Sequence, residues 1–199
     1  MHQILNEIVN FSAAKIFILN ELDRLSPALT YHGKHHTLDV VAVAERLCAV
    51  EKVSKRDTTI VLTAAFLHDI GFLRHYGDHE EHSCRIAEEW LPQFNYTEGS
   101  IKKICGLIRA TKIPQSPQTR LEEILCDADL DYLGRADFYS IAKTLFQEMK
   151  TLQLIDTEDN WNAMQMRFLE NHHYFTATNR RERAAIQEEH LQELRLSKF

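Results

Sequence analysis

The chain has 199 residues, of which 44% are hydrophobic and 26% charged, and its formal net charge is -6 at pH 7. This composition is typical of an ordinary soluble globular protein, which excludes the disordered and fibrous classes, and the length favours a single domain. The acidic balance argues against a surface that coats a nucleic-acid polymer, because neutralising phosphates requires clustered Lys and Arg.

The N-terminal segment Met1–Glu7 lacks the positive region and the long apolar region of a secretory signal. No later stretch approaches the ~18 apolar residues that a membrane span needs. We therefore expect a cytoplasmic protein that does not contact a membrane. The cysteines never form a CxxC pair and fall within apolar helical stretches, which predicts reduced core thiols. They are Cys48, Cys84, Cys105 and Cys126.

The spacing of apolar residues predicts an all-α fold. These residues recur at intervals of three and four, and only six glycines and four prolines interrupt the chain. About eight or nine helices with short connections fit this period. Ser54–Asp57 resembles a capping box, Gly71 follows a helix, Pro92 ends one, and Thr97 caps the next. A further break covers residues 113–117.

The domain organisation is predicted to be one helical bundle over residues 1–199, because no repeat, charge block or linker divides the chain. Its core covers residues 20–135, and residues 136–199 form a helical cover that can close a site. The polar run Asn179–Arg183 is interpreted as the start of a solvated last helix. The aromatics of Trp161–Tyr174 are spaced for core packing, with stacking of a nucleobase as the alternative.

Three segments carry side chains capable of chemistry. Phe66–Gly71 ends an apolar helix with the pair His68-Asp69. A buried Asp must be paired or bound to a cation, and a hydrogen bond to its neighbouring His is the structural alternative. Upstream, Tyr31–Val40 contains three histidines, of which His32 and His36 lie four positions apart. Downstream, Ile124–Arg135 is an apolar stretch interrupted by carboxylates.

The order His, His-Asp, Asp resembles the HD superfamily of metal-dependent phosphohydrolases, in the HDIG spelling, over roughly residues 25 to 140. Members are helical bundles of the phosphodiesterase-like type. The resemblance implies that His36, His68, Asp69 and Asp129 are metal ligands. Asp129 is chosen because the family has an Ala-Asp pair late in the domain, and Asp127 is the competing assignment.

The resemblance also implies catalytic roles. His32, four positions before His36, corresponds to the histidine that protonates the leaving oxygen in cyclic-nucleotide phosphodiesterases, and Asp69 both binds the metal and orients water. Two imidazoles and two carboxylates suit one divalent ion, which is Mn, Fe, Zn, Ni, Co or Mg. Such an ion lowers the pKa of water toward ~7 and polarises a phosphoryl oxygen.

Some family members bind a second metal through two further histidines. His79 fits the first of these positions, but no imidazole occurs near Thr111. This departure favours a mononuclear site and argues against the di-iron oxygenase branch. Residues adjacent to the ligand segments are predicted to bind the substrate's phosphate. They are Lys34, Arg74, His79, Lys112 and Arg135.

The resemblance therefore implies a phosphomonoesterase or phosphodiesterase that acts on a nucleotide or another small phosphorylated metabolite. One alternative is a non-catalytic sensor that binds metal and nucleotide. A less favoured alternative is an HD-type di-iron oxygenase. A homodimer is compatible with the sequence, which does not specify the substrate, the metal or the oligomeric state.

Overall fold

The computed structural model describes residues 9–196, and over that range the chain is helical, without strands. The all-α prediction is confirmed, with ten α-helices in the described part instead of eight or nine. They are α1 (Phe11–Leu22), α2 (Lys34–Val50), α3 (Lys55–Leu67), α4 (His79–Trp90), α5 (Glu98–Ala110), α6 (Arg120–Asp129), α7 (Phe138–Thr151), α8 (Glu158–Asn171), α9 (Ala177–Glu182) and α10 (Ala184–Leu196). The N-terminal segment Met1–Glu7, on which the prediction of no leader depends, lies outside the described residues.

Hydroxyl side chains begin several helices by satisfying backbone N–H groups that have no partner within the helix. Ser54 accepts a hydrogen bond from the backbone of Asp57 at the start of α3, and Thr97 does the same from Ser100 at the start of α5. Both residues cap their helices as predicted, but the Asp57 carboxylate accepts from the Ser54 hydroxyl instead of the Ser54 backbone, so the start of α3 is not a full capping box. The interval between α5 and α6 contains the predicted break at residues 113–117.

Helix α3 is the centre of the larger hydrophobic cluster, which runs from Ala14 to Ala128. Its residues 60–67 are all buried, because α1, α2, α5 and α6 pack around it. A helix that is apolar on nearly every side must be enclosed in this way. The end of α3 therefore delivers the next two residues, His68 and Asp69, into the interior.

A second hydrophobic cluster lies beneath the C-terminal helices. Helix α10 packs against α8 and against the short 3-10 turn Asp131–Gly134, and the cluster extends from Tyr31 and Leu130 to Leu194. This second cluster places the C-terminal helices over the end of α6. The division into a core and a cover within one domain stays a prediction.

The polar run Asn179–Arg183 was predicted to start a solvated last helix. Arg180 and Arg181 are exposed, but the run closes α9 and part of it turns inward, so the prediction is only partly right. Asn179 is completely buried and donates to the Asp131 carboxylate over 3.1 Å. Arg183 donates to the same carboxylate over 2.9 Å. A buried carboxylate requires charged or polar partners, and this run supplies them for Asp131.

Gly71 was predicted to follow a helix, and it lies in the 3-10 turn Ile70–Leu73, beyond the end of α3. A Cβ placed on Gly71 would lie 1.9 Å from the backbone oxygen of His79, so a side chain has no room there. The backbone N–H of Gly71 donates to Ser83 Oγ over 2.8 Å. Close approach therefore explains this glycine, and it brings the start of α4 beside Asp69.

The four cysteines are free and buried, so their prediction as core thiols is confirmed. Between residues 9 and 196, no helix combines the length and the apolar character that crossing a membrane requires.

Candidate metal centre

Four predicted side chains converge in the interior. His36 lies in the first turn of α2, and Asp129 is the last residue of α6. His68 and Asp69 directly follow α3. Nε2 of His36 is 3.1 Å from Oδ1 of Asp129 and 3.5 Å from Oδ2 of Asp69. Nε2 of His68 is 3.2 Å from Oδ2 of Asp69, 3.4 Å from Oδ1 of Asp129 and 3.3 Å from Nε2 of His36. We call these four residues the His/Asp cluster.

The spacing of the cluster atoms matches a shared cation. Nitrogen and oxygen donors about 2.1 Å from one metal ion lie about 3 Å from each other. His36, His68 and Asp69 form a buried group whose ligand atoms are close enough to hold a metal ion, and Asp129 adjoins it. Oδ2 of Asp69 is buried and has no hydrogen-bond partner among the described residues. A buried carboxylate oxygen in that state calls for a positive charge.

The hydrogen bond at the other nitrogen of His68 determines which atom faces the cluster. Nδ1 of His68 donates to the backbone oxygen of Ala65 over 2.9 Å. In the neutral imidazole, Nε2 then carries the lone pair that points to the cluster. Second-shell hydrogen bonds of this kind orient histidines that bind metals.

The electrostatics of the cluster favour positive charge. Burial by itself lowers the pKa of His68, but the Asp69 and Asp129 carboxylates outweigh it and raise that pKa well above its usual value. Burial by itself raises the pKa of Asp129, yet the imidazoles of His36 and His68 lower it to about 2. The two carboxylates are therefore ionised and attract either a proton or a metal cation.

Asp127 and Asp129 have different surroundings, which distinguishes the two competing assignments. Asp127 is wholly buried and faces the C-terminal helices. Its carboxylate accepts hydrogen bonds from the backbone N–H groups of Phe175 and Thr176, both over 2.8 Å, and from the Thr176 hydroxyl. Only Asp129 of this pair lies in the His/Asp cluster.

Replacing Asp127 by Asn should destabilise the fold without affecting metal binding. The Asp127 carboxylate holds the segment before α9 by accepting three hydrogen bonds. An asparagine amide cannot accept all three, because one of its two polar groups is a donor. We expect a loss of about 2 kcal/mol in the free energy of unfolding. Urea denaturation checks the stability, and elemental analysis checks that metal content is unchanged. A variant as stable as the native chain would contradict this role.

His32 forms a hydrogen-bonded pair with Glu148, and this pair connects α7 to the site. Nδ1 of His32 donates to Oε1 of Glu148 over 2.5 Å. Oε2 of Glu148 accepts from the backbone N–H groups of Tyr31 and His32 over 2.8 and 3.0 Å. Glu148 is wholly buried. Burial alone would raise the pKa of Glu148, but the hydrogen bonds from His32 and the backbone lower it.

Glu148 was not among the predicted site residues, although one feature of the sequence points to it. In α7, Ile141, Leu145 and Met149 form the apolar stripe that packs on the second hydrophobic cluster, and Glu148 lies on the same side of the helix. A charged residue on an apolar helix face must find a buried partner. His32 is that partner, 116 residues earlier in the chain.

His79 lies at the edge of the His/Asp cluster. Its Nε2 is 3.3 Å from Oδ1 of Asp69, the carboxylate oxygen that does not face His36 and His68. The Phe72 ring stacks on His79 with centroids 4.1 Å apart and lies 4.6 Å from the ring of His32. Phe72 therefore holds two imidazoles beside the cluster.

The predicted phosphate-binding cations form ion pairs away from the cluster. Lys34 binds Asp23, Arg74 binds Glu89, and Lys112 binds Asp78. Arg135 is engaged by Asp39 and Asp137, over 3.0 and 2.9 Å. Of the five predicted substrate contacts, His79 contacts a cluster residue, Asp69, in the part of the chain that the structure describes, and the roles of the other four stay predictions.

Comparisons with known proteins place this geometry in a family. Residues 33–131 match the HD domain family, a stretch that begins just before His36 and ends just after Asp129. No curated protein gives a significant match.

Three solved structures are similar over most of their length. A predicted HD superfamily hydrolase from an uncultured Thermotogales bacterium is 23% identical, with a TM-score of 0.60 and 89% of each chain covered. Bacillus subtilis YpgQ, in complex with ADP, is 19% identical, with a TM-score of 0.64 and coverage of 96% of this chain and 95% of that chain. A Lactobacillus plantarum protein is 16% identical, with a TM-score of 0.62 and coverage of 94% and 96%.

These likenesses support the helical fold, and the family match spans all four residues of the His/Asp cluster. Residues 33–131 of this chain therefore form an HD domain.

Proposed function

We propose that this chain is a metal-dependent phosphohydrolase that cleaves a phosphoester of a nucleotide or another small phosphorylated metabolite. The observation that carries the proposal is the convergence of two imidazole nitrogens and two carboxylate oxygens within 3.1–3.5 Å contacts. His36, His68, Asp69 and Asp129 are the proposed ligands. The description of one similar structure as an HD superfamily hydrolase and the ADP bound to another support the reaction type and the substrate class.

The chemistry divides between the cluster and the residues around it. A divalent ion held there would lower the pKa of a bound water toward ~7 and polarise a phosphoryl oxygen. Asp69 has one carboxylate oxygen toward His36 and His68 and the other toward His79. It can therefore orient a water molecule while it holds the cation. This double contact gives Asp69 its proposed catalytic role.

His32 is the proposed proton donor to the leaving oxygen. Its ring lies 6.0 Å from the ring of His36 and 6.1 Å from that of His79, so it borders the reaction centre without joining the cluster. The Glu148 carboxylate binds Nδ1 and stabilises the protonated imidazole. A sensor that only binds its ligand has no use for such a proton donor, which favours the enzyme.

One metal ion per chain is proposed. A second ion would need an imidazole near Thr111, whose hydroxyl instead donates to the backbone oxygen of Ile108 over 2.8 Å. His79 and Oδ1 of Asp69 are then free to act on the substrate side of the site. The same observation argues against the di-iron oxygenase.

Replacing His79 by Ala should weaken substrate binding more than catalysis. The imidazole borders the cluster. Burial lowers the pKa of His79, but the Asp69 carboxylate raises it by more, so the net shift of this pKa is upward. A protonated His79 can therefore meet a phosphate oxygen. We expect KM to rise about tenfold, with metal content still one ion per chain. Steady-state kinetics and elemental analysis check this prediction, and His82→Ala is the control on the same helix. Loss of the metal from the His79 variant would make His79 a ligand instead.

The proposed function is tested with purified protein loaded with Mn²⁺ or Co²⁺ and a panel of nucleotides and general phosphoesters. We expect inorganic phosphate or a nucleotide product to form in the presence of metal and to stop after chelation. Tight nucleotide binding with no turnover across the panel would favour the sensor.

A further inference from the structure

A cavity of about 410 Å³ lies between the C-terminal helices and the loop after α5. This volume falls in the range of about 300–1,000 Å³ that is usual for small-molecule sites. Most of its wall is apolar or aromatic, from Ile113, Pro114, Leu130, Met164, Phe168 and Phe175. The cavity is therefore suited to a flat, largely apolar group.

The cavity adjoins the His/Asp cluster. Leu130, which lines it, directly follows Asp129 in the chain. His172 lines the cavity as well; burial lowers the pKa of its imidazole, and the charge of Asp129 opposes that effect. A molecule whose phosphate reaches the cluster can therefore extend its other end into the cavity.

Two polar residues of the wall each have a buried atom without a hydrogen-bond partner among residues 9–196. These atoms are Oε1 of Gln115 and Nε2 of His172. The amide nitrogen of Gln115 donates to the backbone oxygen of Cys126 over 3.1 Å, so its Oε1 is an acceptor. Unsatisfied buried acceptors are costly, and a ligand that supplies donors removes this cost.

The contacts of Gln187 show that His172 also presents an acceptor. The Gln187 amide nitrogen donates to the backbone oxygens of Leu169 and His172, both over 3.1 Å. Its Oε1 therefore accepts from Nδ1 of His172, 3.0 Å away. With the proton on Nδ1, Nε2 carries a lone pair. Burial lowers the pKa of His172 to about 4, so the imidazole stays neutral near pH 7.

Aromatic rings complete the wall. The ring of Phe168 is stacked with that of His172, with centroids 6.1 Å apart and an interplanar angle of 14°. Trp161 and Tyr174 are instead buried in the core. The stretch Trp161–Tyr174 thus contains both packing residues and cavity residues, and the latter offer flat surfaces for stacking.

From these features we infer that the cavity binds the base of a nucleotide substrate and prefers a base with an exocyclic amino group. The inference rests on the proposed function, because the phosphate is assigned to the His/Asp cluster. Gln115 and His172 each offer an acceptor, and an amino group carries two N–H donors. Adenine and cytosine carry that group, whereas hypoxanthine and uracil have a carbonyl oxygen in its place.

Calorimetric titration of the metal-loaded protein with nucleosides tests the inference. Adenosine is compared with inosine and cytidine with uridine, since the second member of each pair has a carbonyl oxygen in place of the amino group and a proton on the neighbouring ring nitrogen. We expect the amino-bearing member to bind about tenfold more tightly in both pairs. Nucleosides contain no phosphate, so this preference is measured independently of turnover. If the amino-bearing nucleosides bind more tightly but no phosphoester is hydrolysed, the proposed function is wrong and this inference stands. If phosphoesters are hydrolysed but the nucleosides of a pair bind equally, this inference is wrong and the proposed function stands.

Two variants assign the preference to its residues. Gln115→Met keeps the length of the side chain but removes the acceptor, and His172→Phe keeps a ring but removes Nε2. We expect each to reduce the difference within a pair to about twofold or less. Gln118→Met, in the same loop but outside the cavity wall, is the control and should keep the tenfold preference. Thermal unfolding verifies that the variants fold. Equal binding of adenosine and inosine by the native protein, absence of nucleoside binding, or a preference that survives in both variants overturns the inference.

Discussion

Replacing Asp69 by Asn is expected to remove the bound metal and to reduce turnover by about a thousandfold or more. The substitution keeps the shape of the side chain but removes the charge that lies 3.2 Å from His68 and 3.5 Å from His36. Loss of Lewis-acid stabilisation costs several kcal/mol, and each 1.36 kcal/mol corresponds to about tenfold in rate. Elemental analysis and steady-state kinetics measure the two effects together.

Asp127→Asn is the matched control for this experiment. It makes the same chemical change at another buried carboxylate of the same region, which binds Phe175 and Thr176 instead of the cluster. We expect it to keep one metal ion per chain and most of the activity of the native protein. If the Asp69 variant kept both its metal and its turnover, the proposed reaction centre would be wrong.

The His/Asp cluster could be predicted from the sequence because each of its four residues lies at the start or the end of an apolar helix. The α3 residues before His68 and Asp69 are buried on nearly every side, so the local pattern already predicts that the pair enters the interior. The choice between Asp127 and Asp129 was different. These residues are two positions apart on one helix and face different directions. Only the packing of α2 and α9 around α6 shows which of them meets His36.

The phosphate contacts assigned by sequence proximity stay a prediction. Lys34, Arg74 and Lys112 lie close to ligand segments in the chain, and each long side chain binds a carboxylate that is not part of the cluster. Exposed cations are flexible and find the nearest carboxylate, a choice that local sequence does not encode. Glu148 was missed for the converse reason, since its partner lies 116 residues away and only tertiary packing unites them.

The second large effect on turnover is expected from a substitution in the Glu148–His32 pair. Replacing Glu148 by Gln is expected to lower kcat by about 100-fold, in line with the contribution of a positioned general acid. The amide keeps the volume of the side chain but has no negative charge to stabilise the protonated imidazole. KM should change little, because the pair faces the leaving group and the phosphate is held at the cluster. Glu188→Gln, at an exposed position of α10, is the control.

The pH dependence of kcat separates this role from a merely structural one. Burial alone would raise the pKa of Glu148, but hydrogen bonds from His32 and the backbone hold it below its usual value. In the native protein, kcat should therefore fall only where acid protonates this carboxylate, and the Glu148→Gln variant, which has no carboxylate to protonate, should lack that acid limb. A variant that only loosens the fold would instead unfold more easily while keeping the shape of the profile. The Glu148→Gln profile is therefore measured at saturating metal together with the Tm. An acid limb that survives in the Glu148→Gln variant, together with a lowered Tm, would show that Glu148 merely fastens α7 to Tyr31 and His32.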